Sequence, residues 1–327
     1  TYWRANRYAQ VHTVHMTVYA PDGARVLSVD ADLPEPAQCV DLRMKFSRWL
    51  EAFAERGGRV EVARCDVPML ERLAATHDLV VVAAGRGAIT GLFPEDRARM
   101  EFDAPQRQVA MFYARDCDMR VGLEGVADRQ VSRYAVLAGI GEVIMSPFLS
   151  RSGAEHYYVQ FEATPGAGMD IFDPKGDVRA QYAAGRDWLR ARQPAVHALV
   201  AGSDVTDEAE WVCGAIKPVV RQPVGRLPDG AAVLGMGDTV IVNDPVLAQG
   251  LNGASKWAAL LTRQIVARGD APFTPAWMQA AFDEYWATAQ YNNKLTATAL
   301  RGMGPLQQRI LACAARHPAF ARRFLAT

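Results

Sequence analysis

The chain has 327 residues, half of them hydrophobic, enough for two domains or for one large α/β body with an inserted sheet. Its 36 Lys and Arg are balanced by 36 Asp and Glu, so no basic field points to nucleic acid. No apolar run approaches the roughly 20 residues of a membrane span, no signal peptide opens the chain, and five dispersed cysteines without Cys-x-x-Cys read as reduced thiols of a cytoplasmic protein. The six His and five Cys show no metal-ligand spacing. A start at Thr1-Tyr2-Trp3, without Met, suggests that something precedes this chain.

Residues 8–30 read as a β-hairpin. Val14, Met16 and Val18 alternate with His15, Thr17 and Tyr19; Asp22-Gly23 supplies the turn, and Val26 to Asp30 returns. His12 and His15 fall on opposite faces and make a poor metal pair. Pro34 and Pro36 mark a loop. Residues 41–56 form a helix capped by Asp41, with Leu42, Phe46, Trp49, Leu50 and Phe53 on one face and Gly57-Gly58 ending it. Arg43 sits in the first turn, where a cation does not suit the helix dipole, and so calls for an anionic neighbour such as a phosphate. Val60 to Ala63 reads as a strand and Met69 to Ala75 as a short helix. Residues 78–85 form a β-branched strand buried on two faces and ending in Gly85. The run Gly85 to Gly91 imitates a dinucleotide fingerprint, but its spacing has one residue too many and no packed helix follows.

From Arg107 to Phe161 the pattern turns to period 2, with strands at 109–113, 134–138, 142–146 and 156–161, as an antiparallel sheet requires. The opening hairpin is its natural neighbour. Residues 177–200 are helical, with Trp188, Leu189, Val196 and Leu199 inward and Pro194 as an interruption. Residues 254–267, 275–300 and 306–325 read as helices, with Trp277, Phe282, Tyr285, Trp286 and Tyr291 as core.

The stretch from 231 to 252 organises the rest. Ala231 to Leu234 is a short buried strand, and Gly237-Asp238 places a carboxylate at its carboxyl end, where open α/β sheets bind ligands. Pro245 fixes the approach to a helix, and Gln249-Gly250 leaves backbone N–H groups open at its start, a ready anion site.

Gly237-Asp238, Pro245 and Gln249-Gly250-x-Asn252 resemble the third flavin motif of the FAD-dependent aromatic hydroxylase superfamily. Arg43, Phe46 and Leu50 resemble its Arg-x-x-Leu-x-x-x-Leu helix. Three further stretches resemble the oxygenase component of styrene and indole monooxygenases: Phe102-x-x-Pro105-Gln106-Arg107, the run Gly139-x-Gly141-Glu142-Val143-Ile144-x-x-Pro147-x-Leu149-Ser150-x-x-Gly153, and Asp244-Pro245-Val246-Leu247-x-Gln249-Gly250. The likeness runs from about Tyr8 to Ala267. Two departures stand out: Ala84 replaces the family's acidic residue, and the opening Gly-x-Gly-x-x-Gly unit is absent.

This resemblance implies a Rossmann-like, glutathione-reductase-type FAD-binding parallel sheet, incomplete at its amino terminus, with an inserted antiparallel substrate sheet and carboxyl-terminal helices. The expected divisions are 1–38 with 107–205 for substrate, 39–106 with 206–270 for FAD, and 271–327 as the helical layer. It implies a two-component monooxygenase. An NADH-dependent flavin reductase supplies reduced FAD, and a flavin C4a-hydroperoxide made with O2 transfers one oxygen atom to a small apolar aromatic alkene such as styrene or indole, giving an epoxide. Arg43, Gly85, Gly237, Asp238, Pro245, Gln249, Gly250 and Asn252 are the expected flavin contacts. His15, Val143, Met145, Pro147 and Phe148 are the candidate substrate wall, with the facing strand side left open. No catalytic side chain and no metal are expected. A homodimer is compatible with this reading. The alternatives are a single-component NAD(P)H-dependent aromatic hydroxylase, or a non-catalytic ligand-binding relic.

Overall fold

The computed structural model describes residues 9–85, 87–123, 130–206, 211–302 and 304–325. Tyr8 at the start of the hairpin and Arg86 of the glycine run lie outside them. The chain divides into two compact units: a sheet unit of residues 1–60, 107–215 and 302–327, and a corner unit of residues 61–106 and 216–301.

In the sheet unit, β1 (Gln10–Tyr19), β2 (Arg25–Gln38), β4 (Gln108–Arg115), β5 (Val131–Leu137), β6 (Gly141–Leu149), β7 (Glu155–Ala163) and β8 (Asp204–Val205) lie in the order β2-β1-β5-β6-β7-β4-β8, with β9 (Val212–Ala215) also on β4. Period-2 sequence becomes this sheet, but the sheet is mixed rather than antiparallel. β1 runs parallel to β5, with His15 opposite Arg133. The direction in which hairpin and meander join is not written in alternation, which fixes only the faces. β2 also continues through Pro34 and Pro36, where a loop was expected. It is the edge strand, and these prolines lie in the register shift that takes Val11–Ala37 to Thr13–Asp32, where missing N–H groups cost little.

One face of this sheet is covered by α3 (Val178–Arg192) and α4 (Pro194–Val200), which bring Tyr182, Leu189 and Val196 onto Phe112, Met145 and Phe161. Pro194 stands at the first turn of α4, so the expected interruption is the join of two helices. α7 (Pro305–Arg316) and α8 (Pro318–Leu325) pack on β2 through Ala314 and Ala321 against Val29 and Ala31. α1 (Leu42–Glu55) follows the bridge from Val40 to Leu149; Phe46, Trp49, Leu50 and Phe53 on it are exposed.

In the corner unit β12 (Ala232–Gly235) lies between β11 (Val224–Arg226), antiparallel, and β3 (Val81–Val82), parallel. A second ladder pairs β10 (Val219–Val220) with β13 (Ile241–Val242). The unit's helices are α2 (Val67–Ala74), α5 (Gln249–Arg268) and α6 (Pro275–Leu300). Trp257, Phe282 and Tyr285 are core, as expected, but Tyr291 is 67% exposed. Residues 60–63 do not form the expected strand: no ladder includes them, and Val62 is 98% exposed. β3 is shorter than expected, and Val81 is partly exposed.

These units cut the chain differently from the three-part expectation. α1 groups with the sheet, and the carboxyl-terminal layer divides at 301/302 because α6 packs on β11 and β12 while α7 and α8 pack on β2. Among the described residues no helix is long and apolar enough to cross a membrane.

Candidate functional site

The corner is built by hydrogen bonds that leave the helix start at Gln249 without a side-chain cap. β12 is buried, and Leu234 and Gly235 pair in parallel with Val81 and Val82. Met236 N–H donates to Val82 O at 2.8 Å, and the chain then turns at Gly237 with φ +61°. That left-handed angle is why a glycine stands there. Asp238 follows in a single 3-10 turn, Gly237–Thr239. Thr239 is fully buried, and its Oγ1 accepts from Ala84 N–H at 2.9 Å. One hydroxyl therefore ties the end of β3, with Gly85 beside it at φ +65°, to the turn carrying Asp238. Arg221 Nη1 donates to Thr239 O at 3.1 Å and reaches Asp238 O at 3.4 Å, holding the turn from its carbonyl side.

Beyond β13, buried Asp244 caps a second 3-10 turn, Pro245–Leu247, by accepting Val246 N–H at 3.0 Å. Ala248 is left-handed, φ 52°, an uncommon conformation for a residue with a Cβ and one that clusters at functional corners. It is also the residue before α5, and no side chain caps that helix. The first-turn N–H groups of a 20-residue helix are thus left for solvent or a ligand. Gln249 Nε2 donates to Leu247 O, and Asn252 Nδ2 to Ala248 O, so both amides stiffen the turn rather than cap it. A Cβ built on Gly250 would meet nothing within 4 Å. Gly237 and Gly250 line one concavity, together with Gly253 and Ala254. The structure therefore brings Gly237, Gly250 and the turn of Asp238 together, with Pro245, Gln249 and Asn252 shaping the helix entry and Gly85 stitched alongside. An uncapped helix start, open glycine backbone and a carboxylate at a strand end fit a flavin's polar edge and its ribityl hydroxyls.

Arg43 belongs to the sheet unit, and its guanidinium is already engaged. Its Nε donates to Asp41 Oδ1 at 2.9 Å, and its Nη2 pairs with Asp41 Oδ2. Asp41 also accepts Arg43 N–H at 2.9 Å as the cap of α1. The cation in the first turn thus has its anion in the cap itself, which the sequence argument for a phosphate overlooked. This pairing holds the Asp41 carboxyl below its ordinary range.

The substrate-wall candidates lie on both faces of the sheet. In register, Asp30, His15, Arg133 and Met145 form one row across β2, β1, β5 and β6. Val143 and Met145 are fully enclosed in the core beneath α3 and α4, and strand alternation puts Pro147 on the same side. His15 has both ring nitrogens occupied: Nδ1 by Asp30 Oδ1 at 2.6 Å and Nε2 by Thr17 Oγ1 at 2.9 Å. Phe148 lies on the opposite face, stacked on Tyr113 with centroids 4.6 Å apart.

That opposite face carries groups the sequence reading did not single out. Arg107 donates twice to Glu142, at 2.8 and 3.0 Å, with both side chains buried. Cys39 Sγ lies 3.8 Å from Ser146 Oγ; burial raises the Cys39 thiol and, more strongly, the Tyr158 hydroxyl. Alternating polar residues on a sheet buried on both faces were the available signal.

The fold matches flavin-dependent brominase Bmp2 with a TM-score of 0.62, at 13% identity, covering 97% of this chain and 75% of that one. It matches CmlS, a flavin-dependent halogenase, with a TM-score of 0.59 at 15% identity, covering 90% and 52%. The class is therefore the mixed α/β fold of flavin-dependent halogenases and monooxygenases, with a mixed main sheet and carboxyl-terminal helices. Residues 85–198 match the family described as "Styrene monooxygenase A putative substrate binding domain". The chain is 28% identical over 255 residues to styrene monooxygenase StyA of Pseudomonas fluorescens, and 26% identical over 295 residues to StyA of Pseudomonas sp. These alignments take in 76% and 88% of this chain and 60% and 69% of the relatives' lengths. The chain is a styrene monooxygenase A-like protein.

Proposed function

We propose that this chain is the greater part of the oxygenase component of a two-component FAD-dependent monooxygenase, acting on a small apolar aromatic alkene such as styrene or indole. The observation that carries this reading is the uncapped start of α5 with Gly250 open beside the Gly237-Asp238 strand end. Bound FAD, reduced by a separate NADH-dependent reductase, supplies the oxygen-activating chemistry with O2. The chain's own residues bind and orient. The Asp238 carboxylate accepts hydrogen bonds from ribityl hydroxyls. First-turn N–H groups near Gly250 meet negative charge on the flavin's carbonyl edge, as fixed donors cost no reorganisation. Pro245, Gln249 and Asn252 hold that turn in place, and Gly85 keeps the neighbouring strand end low. Arg43 serves the pyrophosphate only by exchanging Asp41 for it.

For the substrate wall we retain Phe148, buried on the face opposite α3 and α4 beneath the partly exposed Tyr113 ring on which it stacks. His15, Val143, Met145 and Pro147 support it from behind. No ionisable side chain is needed as acid or base; the sheet's part is to exclude water and orient the alkene.

The test is to give the complete protein photoreduced FAD, oxygen and styrene, without NADH or reductase, and to look for styrene oxide. Product formation is expected, with Asp238→Ala losing it mainly through lost flavin affinity. No product from styrene, indole or a thioether, with reduced FAD shown to be bound, would reject the assignment and favour a ligand-binding relic. Activity that requires added NADH and no reductase would favour a single-component hydroxylase.

A further inference from the structure

α5 carries Trp257 two turns below its open start. The indole is 1% exposed and lies almost parallel to the Tyr285 ring, with centroids 4.9 Å apart and planes 7° from parallel. Stacking accommodates the ring but not its Nε1–H, which has no acceptor among the described residues. Asn243, between β13 and the Pro245 turn, presents the converse case: its Oδ1 is buried with no donor. Buried polar atoms are nearly always paired, and two complementary orphans on one cavity call for a shared partner.

Trp257, Asn243 and Tyr285 line the same concavity. Its remaining lining is small or apolar, Gly237, Gly250, Gly253, Ala254 and Ile241, so the site adjoins the glycine edge assigned to the flavin. The space open to a water's centre is about 10 Å³, room for one water. Tyr285 adds a second acceptor. Its hydroxyl proton is committed to Gly253 O at 3.0 Å, which leaves oxygen lone pairs facing the cavity. Burial pushes that hydroxyl up to about 12, so it stays a donor to Gly253 across the working pH range.

We propose that this cavity is a binding site for a single structural water, which accepts from Trp257 Nε1–H and donates to Asn243 Oδ1 and Tyr285 Oη. Three bonds are the usual complement of a buried water. The molecule joins α5, α6 and the loop before Pro245, the three pieces that fix where α5 begins. It is a positioning device for the corner.

The experiment is water-selective NMR on the chain with 15N-labelled tryptophan, with the Trp257 indole assigned by its loss in Trp257→Phe or, should that variant not fold, by triple-resonance spectra. The expected result is an indole proton protected from solvent exchange that nevertheless shows a dipolar cross-peak to water. A protected Trp257 indole proton with no such cross-peak would overturn the proposal. In Asn243→Leu, which removes the acceptor, loss of the cross-peak is expected; an unchanged cross-peak in folded protein would remove Asn243 from the site and overturn the three-bond arrangement.

Discussion

The sheet unit and the corner unit handle buried polarity in opposite ways. In the sheet, charge answers charge: the Arg107 guanidinium forks onto Glu142 with both side chains enclosed. In the corner, single contacts hold the backbone, Thr239 Oγ1 to Ala84 N–H, Arg221 Nη1 to Thr239 O and Tyr285 Oη–H to Gly253 O, while the first turn of α5 stays uncapped. An ion pair closed on itself has no charge left to offer a ligand. A region held by a few single contacts keeps its helix-start N–H groups in reserve.

Breaking the sheet's charge neutrality should produce the largest effect. Arg107→Ala leaves Glu142 buried without its fork and is expected to cost about 3–5 kcal/mol of unfolding free energy. Replacing both partners, Arg107→Met with Glu142→Leu, should recover most of that loss, since a packed apolar pair of similar volume is often neutral or better. Denaturant unfolding of the two variants decides the matter. A double variant as unstable as the single one would mean that Glu142 or Arg107 serves something other than the other.

Two glycines of the corner sharpen the contrast at smaller scale. A Cβ on Gly235 would lie 2.6 Å from Val240 Cγ2 and 2.7 Å from Phe93 Cε1, so Gly235→Ala should cost about 1–3 kcal/mol by overpacking. Gly250 meets nothing within 4 Å, and as a helix residue its change to Ala should stabilise by up to about 1 kcal/mol. If the flavin's edge approaches Gly250, that same change should weaken FAD binding in a fluorescence titration. Stability gained with affinity lost marks a backbone kept bare for a ligand; stability gained with affinity unchanged would move the cofactor elsewhere.

The sequence made the corner legible because its signals are local. A short apolar run, Gly237-Asp238, Pro245 and Gln249-Gly250 each constrain their own few residues, and strand, turn and helix start fall where those residues place them. Period-2 runs likewise became strands. What escaped depends on long-range partners. β1 pairs parallel with β5 across more than 100 residues of chain, and no alternation encodes that direction. Residues 60–63 have strand-like composition but no neighbouring strand. The wall candidates at 143, 145 and 147 were chosen by motif, and which side the covering helices take decides their burial. At Arg43 the missed feature was subtler: Asp41 was already named as a cap, yet one carboxylate serves both the backbone N–H and the guanidinium.

That double role of Asp41 gives the smallest prediction. Asn caps a helix about as well as Asp, so Asp41→Asn should remove only the pairing with Arg43. The Arg43 side chain is half-exposed, and the change should cost less than about 1 kcal/mol. Asp41→Ala removes cap and pairing together and should cost about 1–2 kcal/mol. The Asp41 carboxyl titrates below its unfolded value because Arg43 and the cap N–H favour its charged form. Its stabilisation is therefore complete above the unfolded pKa of about 4 and is lost as pH falls through the lower folded value. The gap between wild type and Asp41→Asn in denaturant unfolding should accordingly be flat from pH 7 to 5 and close on further acidification. A gap that persisted unchanged to the most acid pH at which the protein still folds would show that the carboxylate's charge contributes nothing there. The pairing that occupies Arg43 would then be too weak to keep it from a pyrophosphate.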